Sequence, residues 1–114
     1  MIFTDSLRNS QQFSRVYKEG HSKANKYLIM YILENNTDMN HLGIVVSKKV
    51  GNSVIRHRIK RLIKESYRLQ EKVFNSGLDI VIVARGSASS ISFKEIDSAL
   101  KHLSKIQHIY KEDI

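Results

Sequence analysis

The 114-residue sequence predicts an α/β fold, in the form of an α+β sandwich with helices packed on one small mixed sheet. Apolar runs of strand length lie at 27–33, 42–47 and 78–84, and segments with apolar residues at helical spacing lie between and around them. Turn-forming residues separate these runs. The length fits a single domain, residues 1–114. The predicted element order is α-β-β-α-β-α.

The first element is predicted to be a short amphipathic helix over Ser10–Glu19. Ser10 has a side chain suited to the N-cap, and Gly20 suits the stop after the last turn. Phe13 and Tyr17 are four residues apart, so they share one face of this helix.

Three strands are predicted after the first helix. The runs at 27–33 and 42–47 flank a turn at 35–38, so they are expected to pair as a hairpin. The third strand, Leu78–Ala84, is almost entirely apolar, which is typical of a strand buried on both faces. Because a long helix separates the second and third strands, these two are expected to lie parallel.

Two further helices complete the prediction. Ser53 is expected to cap a long helix over 54–72, after a loop at 48–53. Ser92 and Glu95 have the spacing of a capping box at the start of a final amphipathic helix.

The net charge of +8 is concentrated in one segment, 48–68, which has eight basic residues and one acid, a balance of +7. The basic residues are Lys48, Lys49, Arg56, Arg58, Lys60, Arg61, Lys64 and Arg68. Such a concentration is typical of a surface that binds a polyanion. The absence of cysteine excludes disulfides, thiolate metal sites and a cysteine nucleophile, and agrees with a cytoplasmic protein. No apolar run approaches the roughly 20 residues of a membrane span.

A helical wheel with Arg56 at zero separates the long helix into two faces. An apolar sector, at about 240° to 340°, contains Leu62, Ile55, Ser66, Ile59 and Ile63. A cationic arc, at about 0° to 140°, contains Arg56, Lys60, Lys64, His57, Arg68 and Arg61. Tyr67 falls within this arc at about 20°, whereas Glu65 and Arg58 lie beyond it at about 180° and 200°.

The cationic arc has two interpretations. A solvated helix face usually mixes acids and bases at i,i+4, but Arg56, Lys60 and Lys64 form a like-charge ladder that costs a few tenths of a kcal/mol per repeat. An anionic partner explains this cost better than solvent does, and a nucleic acid fits best. The charge alone does not distinguish RNA from DNA, because the helix could also lie in a DNA major groove.

The aromatic residues have two possible roles. Phe13, Tyr17 and Tyr31 could pack in the core or form a platform on which unpaired bases stack; the tyrosines favour the platform, since a buried hydroxyl needs a partner. The five histidines are scattered, and Asp79 has no second carboxylate nearby in the sequence. No catalytic constellation is evident.

The segment VSKKVGNSVIRHRIKR at 46–61 resembles the signature of the bacterial ribonuclease P protein subunit, and the match continues through 62–68. Supporting matches lie at 13–17, 20, 22, 24–25, 42–43, 79–85 and 88. The resemblance therefore covers almost the whole chain. One position departs from it: where the family usually has Arg-Asn-Arg, this chain has His57 between two arginines.

The resemblance implies a cytoplasmic ribonucleoprotein in which an RNA subunit, with its Mg²⁺ ions, removes the 5′ leader of precursor tRNA. It also implies a left-handed β-α-β crossover, against the general right-handed rule. Neither a membrane nor an obligate protein partner is expected, and metal sites on the protein itself are unknown. The residues predicted to contact the catalytic RNA are Lys48, Lys49, Asn52, Arg56, His57, Arg58, Lys60, Arg61, Lys64 and Arg68. The cleft predicted to hold the single-stranded leader contains Phe13, Tyr17 and Tyr31.

Two other functions remain open at this point. A free-standing nuclease would need its own acid, base or metal cluster. A stand-alone RNA- or DNA-binding protein, similar to a ribosomal protein, would need only the basic helix.

Overall fold

The computed structural model describes residues 3–111. The five strands are β1 (Thr4–Ser6), β2 (His21–Ala24), β3 (Leu28–Glu34), β4 (Asn40–Val46) and β5 (Leu78–Ala84). The three helices are α1 (Ser10–Glu19), α2 (Ser53–Gln70) and α3 (Phe93–Ile106), and single 3-10 turns follow α2 and β5. The predicted elements are all present. Two short strands, β1 and β2, were not predicted.

The five strands form one mixed sheet in the order β1-β4-β5-β3-β2. β4 and β5 are parallel and joined through α2, which confirms the predicted β-α-β unit. The predicted hairpin between β3 and β4 is wrong, because β5 lies between them and pairs antiparallel with β3. The crossover through α2 places β5 between β3 and β4. These two strands are therefore neighbours in the sequence but not in the sheet. The left-handed crossover stays a prediction from the resemblance.

The two faces of the sheet are covered unequally. α2 and α3 pack on one face, where the main core includes Ile59, Ile63, Ile80, Ile82 and Leu100. Within residues 3–111, α1 is the one helix on the other face, where its fully buried Val16 packs with Leu7 and Val81. Strand β5 is apolar on both sides because it contributes to both cores. Since α1 is a helix of ten residues, much of the second face stays only partly covered.

The helix starts correct two predicted caps. α1 is capped by Asn9 rather than Ser10. The Gln12 side chain accepts a hydrogen bond from the Asn9 backbone N–H, which completes a capping box. α2 is capped by Asn52 rather than Ser53, since the Asn52 side chain accepts from the backbone N–H of Ile55 at 3.0 Å. In both places the residue one position earlier is extended and can accept that bond. The predicted capping box at the start of α3 is confirmed.

Gly20 ends α1 for a different reason from the one expected. Its backbone is extended, with φ −80°, and not left-handed. A Cβ at this position would lie 2.5 Å from the Val16 carbonyl oxygen and 2.8 Å from that of Ile32. The glycine is therefore needed because the chain passes close to both β3 and the end of α1.

Candidate nucleic-acid interface

Helix α2 presents most of the predicted cations to solvent. Lys48 and Lys49 are exposed in the turn before it, and His57, Lys60, Arg61 and Lys64 are exposed along it. Among residues 3–111, no acidic side chain forms an ion pair with any of these six residues or with Arg56. A row of cations without acidic partners is an electrostatic footprint for phosphate groups.

The sector that α2 buries is wider than the wheel predicts. Its fully buried side chains include Ile59, Ile63 and Tyr67, and Tyr67 therefore does not belong to the cationic arc as predicted. The Tyr67 hydroxyl lies 2.9 Å from Thr4 Oγ1, and burial raises the pKa of this phenol. Because the buried sector reaches about 20° on the wheel, Arg56 at zero lies inside it, close to its edge. Arg56 is accordingly half-buried, and its Nε has no hydrogen-bond partner among the described residues.

Two of the predicted RNA-contacting arginines also bond within the protein. Arg58 Nη2 donates to the backbone oxygen of Ile91 at 2.8 Å, which ties α2 to the segment before α3. Arg68 donates two bonds to Glu65, Nε to Oε2 at 3.0 Å and Nη2 to Oε1 at 2.6 Å. This pair raises the pKa of Arg68 and lowers that of Glu65. The carboxylate partly offsets the charge that Arg68 offers to a polyanion.

Asn52 has a structural task as well. Its side-chain oxygen is occupied by the cap of α2, which leaves the amide nitrogen of this exposed residue for a partner. Its assignment to the RNA surface stays a prediction.

The three aromatic residues predicted for the leader cleft come together on the α1 face of the sheet. The ring centroids of Phe13 and Tyr17 are 6.4 Å apart, and those of Tyr17 and Tyr31 are 4.9 Å apart in an edge-to-face arrangement. Tyr17 is 41% exposed, whereas Phe13 and Tyr31 are half-buried. Partial burial and the neighbouring Tyr31 raise the pKa of Tyr17. The cluster thus has an accessible edge beside a packed base.

Gly43 on β4 determines where the Phe13 ring lies. A Cβ on Gly43 would be 2.4 Å from Phe13 Cε1, so only a glycine lets the ring rest on the sheet at this point. Phe13 also lines a depression of about 280 Å³ together with Lys60 and Lys64 of α2. Phe13 of the aromatic cluster therefore shares one depression with the cationic helix, a relationship that the sequence prediction did not contain.

A buried polar cluster on β4 and β5 was also not predicted. His41 Nδ1 lies 2.9 Å from Asp79 Oδ1, and the Asn35 amide donates to the same oxygen at 2.9 Å. Among residues 3–111, no group of three or more His, Cys, Asp or Glu side chains is placed to hold a metal ion. The described residues therefore offer no such cluster to Mg²⁺, which the resemblance places with the RNA subunit.

Comparisons with known proteins show which family this chain resembles. A family model described as Ribonuclease P matches residues 3–107. The ribonuclease P protein component of Lachnoclostridium phytofermentans is 61% identical over 106 residues, which cover 93% of this chain and 91% of that protein. The corresponding protein of Clostridioides difficile is 48% identical over 103 residues, or 90% of each chain.

Solved structures show the same fold. The RNase P protein of Staphylococcus aureus superposes with a TM-score of 0.87 at 36% identity, over 93% of this chain and 97% of that one. The RNase P protein of Thermotoga maritima superposes with a TM-score of 0.80 at 31% identity, over 89% of this chain and 96% of that one. The family model and the high identities over nearly full-length chains show that this chain belongs to the ribonuclease P protein family, the protein component of an endoribonuclease that also contains RNA.

Proposed function

We propose that the chain binds the catalytic RNA of ribonuclease P through α2 and the 5′ leader of precursor tRNA through Phe13, Tyr17 and Tyr31. The observation that carries this proposal is the depression shared by Phe13, Lys60 and Lys64. An RNA held along the helix and a single strand held on the aromatic cluster would meet there.

The helix supplies the sequence-independent part of the affinity. Each lysine or arginine that neutralises a phosphate releases condensed counterions, so the binding is expected to weaken steeply with salt. His57 stands where the family usually has asparagine, and its ring nitrogens can donate or accept hydrogen bonds. The exposed Lys48 and Lys49 extend the same surface beyond the start of α2.

The aromatic cluster supplies contacts to unpaired bases. Every base has a π-face, so stacking on Tyr17 tolerates different leader sequences. The Tyr17–Tyr31 contact holds the Tyr17 ring against the sheet. This side chain therefore loses less conformational freedom when a base binds.

The hydrolysis itself is assigned to the RNA subunit and its Mg²⁺. This assignment rests on the family resemblance. Within the chain, the buried carboxylate of Asp79 already bonds to Asn35 and His41. The chain's own role in the reaction is to bind and orient RNA. A cytoplasmic location without a membrane or an obligate protein partner is part of the proposal; no helix among residues 3–111 is long and apolar enough to cross a membrane.

Reconstitution tests this function. Nuclease-free protein, the catalytic RNA and a leader-bearing precursor tRNA would be assayed alone and together in Mg²⁺. The protein alone should not release the leader, and it should raise the activity of the RNA at low salt and low Mg²⁺, because its cations offset RNA–RNA repulsion. Leader release by the protein alone would indicate a free-standing nuclease. No effect on the RNA's activity would favour a stand-alone nucleic-acid-binding protein.

A further inference from the structure

A second concave site lies beside α3. It is a pocket of about 420 Å³ between the turn at residues 25–27 and the exposed face of α3, a size within the range of small-ligand sites. Tyr27 and Ala99 contribute to a mainly apolar lining, and Lys26, Lys94 and His102 surround it. None of these residues belongs to the α2 surface or to the aromatic cluster.

Hydrogen bonds hold the wall of this pocket in place. The Asn25 amide donates to the Ala99 oxygen at 2.9 Å, and the Asn25 side-chain oxygen accepts from the backbone N–H groups of Tyr27 and Leu28. Arg85 donates to the Asn25 backbone oxygen at 2.8 Å. The turn is thus fixed to both α3 and the end of β5, so the pocket is formed before any ligand binds.

The polar groups of the pocket favour an anion with a flat apolar part. Lys26 Nζ lies 5.4 Å from the centre of the Tyr27 ring, and neither Lys26 nor Lys94 forms an ion pair within residues 3–111. Both oxygens of the nearby Glu95 carboxylate are occupied, one by the Ser92 cap and the other by the Tyr27 hydroxyl. The Glu95 carboxylate keeps its charge, and the bond from the Ser92 backbone, together with the charge of Lys26, helps to lower its pKa. The lining therefore has two lysine charges against one carboxylate, a balance that still favours an anion.

His102 adds a donor. Its Nδ1 lies 3.2 Å from the Asn25 amide nitrogen, which has only hydrogens to offer. Nδ1 is therefore the acceptor, and in the neutral ring the proton is on Nε2. An N–H donor beside an apolar wall and two lysines matches the chemistry of a nucleotide, with its planar base and its phosphate.

We propose that this pocket binds one unpaired nucleotide of the RNA partner, with the base against Tyr27 and α3 and the phosphates at Lys26 and Lys94. The inference rests on the proposed function, because it extends the same RNA surface. The α2 surface comes near this part of the chain at two places. Gly86 lies so close to Lys49 that an added Cβ would be 3.6 Å from the Lys49 oxygen, and Arg58 of α2 bonds to Ile91 just before α3.

Binding of the catalytic RNA to three variants tests the proposal. Ser98 is an exposed residue that lines the pocket, and Ser98→Trp would fill it. We expect this variant to lose roughly five- to 100-fold in affinity, the range of one base-stacking contact. Lys94→Gln should lower the slope of log affinity against log salt by about 0.7 to 0.9. Lys105→Gln, on α3 but away from the pocket lining, is the matched control and should change the affinity by much less than Ser98→Trp.

Crosslinking locates the bound nucleotide. Because the chain has no cysteine, Ser98→Cys provides one attachment point for a photoreactive azidophenacyl group, and Ser76→Cys provides an exposed control far along the chain. The label at position 98 should crosslink to one discrete unpaired position of the RNA, and that at position 76 should not. If Lys60→Ala weakens RNA binding while Ser98→Trp and Lys94→Gln do not, the pocket proposal is wrong and the α2 interface stands. If Lys60→Ala has no effect either, the proposed function fails as well.

Discussion

Arg58 on α2 donates a 2.8 Å hydrogen bond to the backbone oxygen of Ile91, one residue before the cap of α3. The sequence assigned this arginine to the RNA surface by resemblance, whereas the helical wheel placed it outside the cationic arc. The structure shows a guanidinium that joins two helices while it stays exposed. The remaining N–H donors of Arg58 are still able to reach a phosphate, so the two roles compete only in part.

Arg58→Ala separates the two roles. We expect the free energy of unfolding to fall by about 1 kcal/mol, because the Ile91 carbonyl loses a part-buried partner. RNA affinity should also fall, but the salt slope should change less than for Lys60→Ala. Urea unfolding and salt-dependent filter binding would measure both. If the free energy of unfolding is unchanged and the salt slope falls as much as for Lys60→Ala, the bond to Ile91 contributes little to stability. Arg58 would then act mainly on RNA.

Lys60→Ala and Lys64→Ala isolate the electrostatic contribution of α2. Each should reduce the slope of log affinity against log salt by about 0.7 to 0.9, because each removes roughly one phosphate contact. Helix stability should hold or rise slightly, since alanine is the best helix former and a like-charge pair is relieved. Arg68→Ala is the useful comparison, because its guanidinium is already paired with Glu65. Equal slope changes for Arg68 and Lys60 would show that the Glu65 pair opens on binding.

Tyr17→Ala tests the aromatic cluster. Binding of a leader-bearing precursor tRNA to the reconstituted complex should weaken by roughly 1–3 kcal/mol, the range of one stacked base. Binding of mature tRNA should barely change. Tyr17→Phe keeps the ring and removes only the hydroxyl, so it should retain most of the affinity. An equal loss for both tRNAs, or a large drop in stability, would mean that Tyr17 is mainly a packing residue.

The sequence predicted the helices and the long strands well because their signals are local. Helical spacing and apolar runs identified α1, α2, α3 and β5. Strand β1 has the sequence Thr-Asp-Ser, and β2 is exposed at every position, so neither has an apolar signal. These two strands exist because their neighbours offer backbone partners, and that pairing is a property of the assembled sheet.

The site was predicted less completely, again for reasons of long-range packing. Tyr67 falls within the cationic arc on a wheel, but Thr4, 63 residues earlier, provides the partner that lets its hydroxyl be buried. His41 and Asp79 are 38 residues apart and meet only because β4 and β5 pair. The meeting of Phe13 with Lys60 also required the fold, since it depends on α1 crossing the sheet over Gly43.

Asp97 joins the two helices that carry the proposed RNA contacts. Ser66 Oγ on α2 donates to Asp97 Oδ1 at 2.7 Å, and Lys101 Nζ lies 2.8 Å from Asp97 Oδ2. Partial burial raises the pKa of Asp97, but the hydrogen bonds from Lys101, Ser66 and Gln70 outweigh it and hold this pKa below its ordinary value of 3.8. A carboxylate with a lowered pKa stabilises the folded state above the unfolded pKa, and this contribution is lost as the pH falls through the folded pKa.

Asp97→Asn should therefore reduce the free energy of unfolding at neutral pH by about 1 to 2 kcal/mol, since it weakens the hydrogen bonds that Asp97 accepts from Ser66 and Gln70 of α2. The difference from the unsubstituted protein should narrow below about pH 4, where the carboxyl of the unfolded state takes up a proton before the native carboxylate does. Urea unfolding at three pH values between neutral and about 3 would follow this change. Asp38→Asn, in an exposed turn, is the control and should change stability little. A difference that stays constant down to the lowest pH would show that the charge of Asp97 does not stabilise the α2–α3 contact.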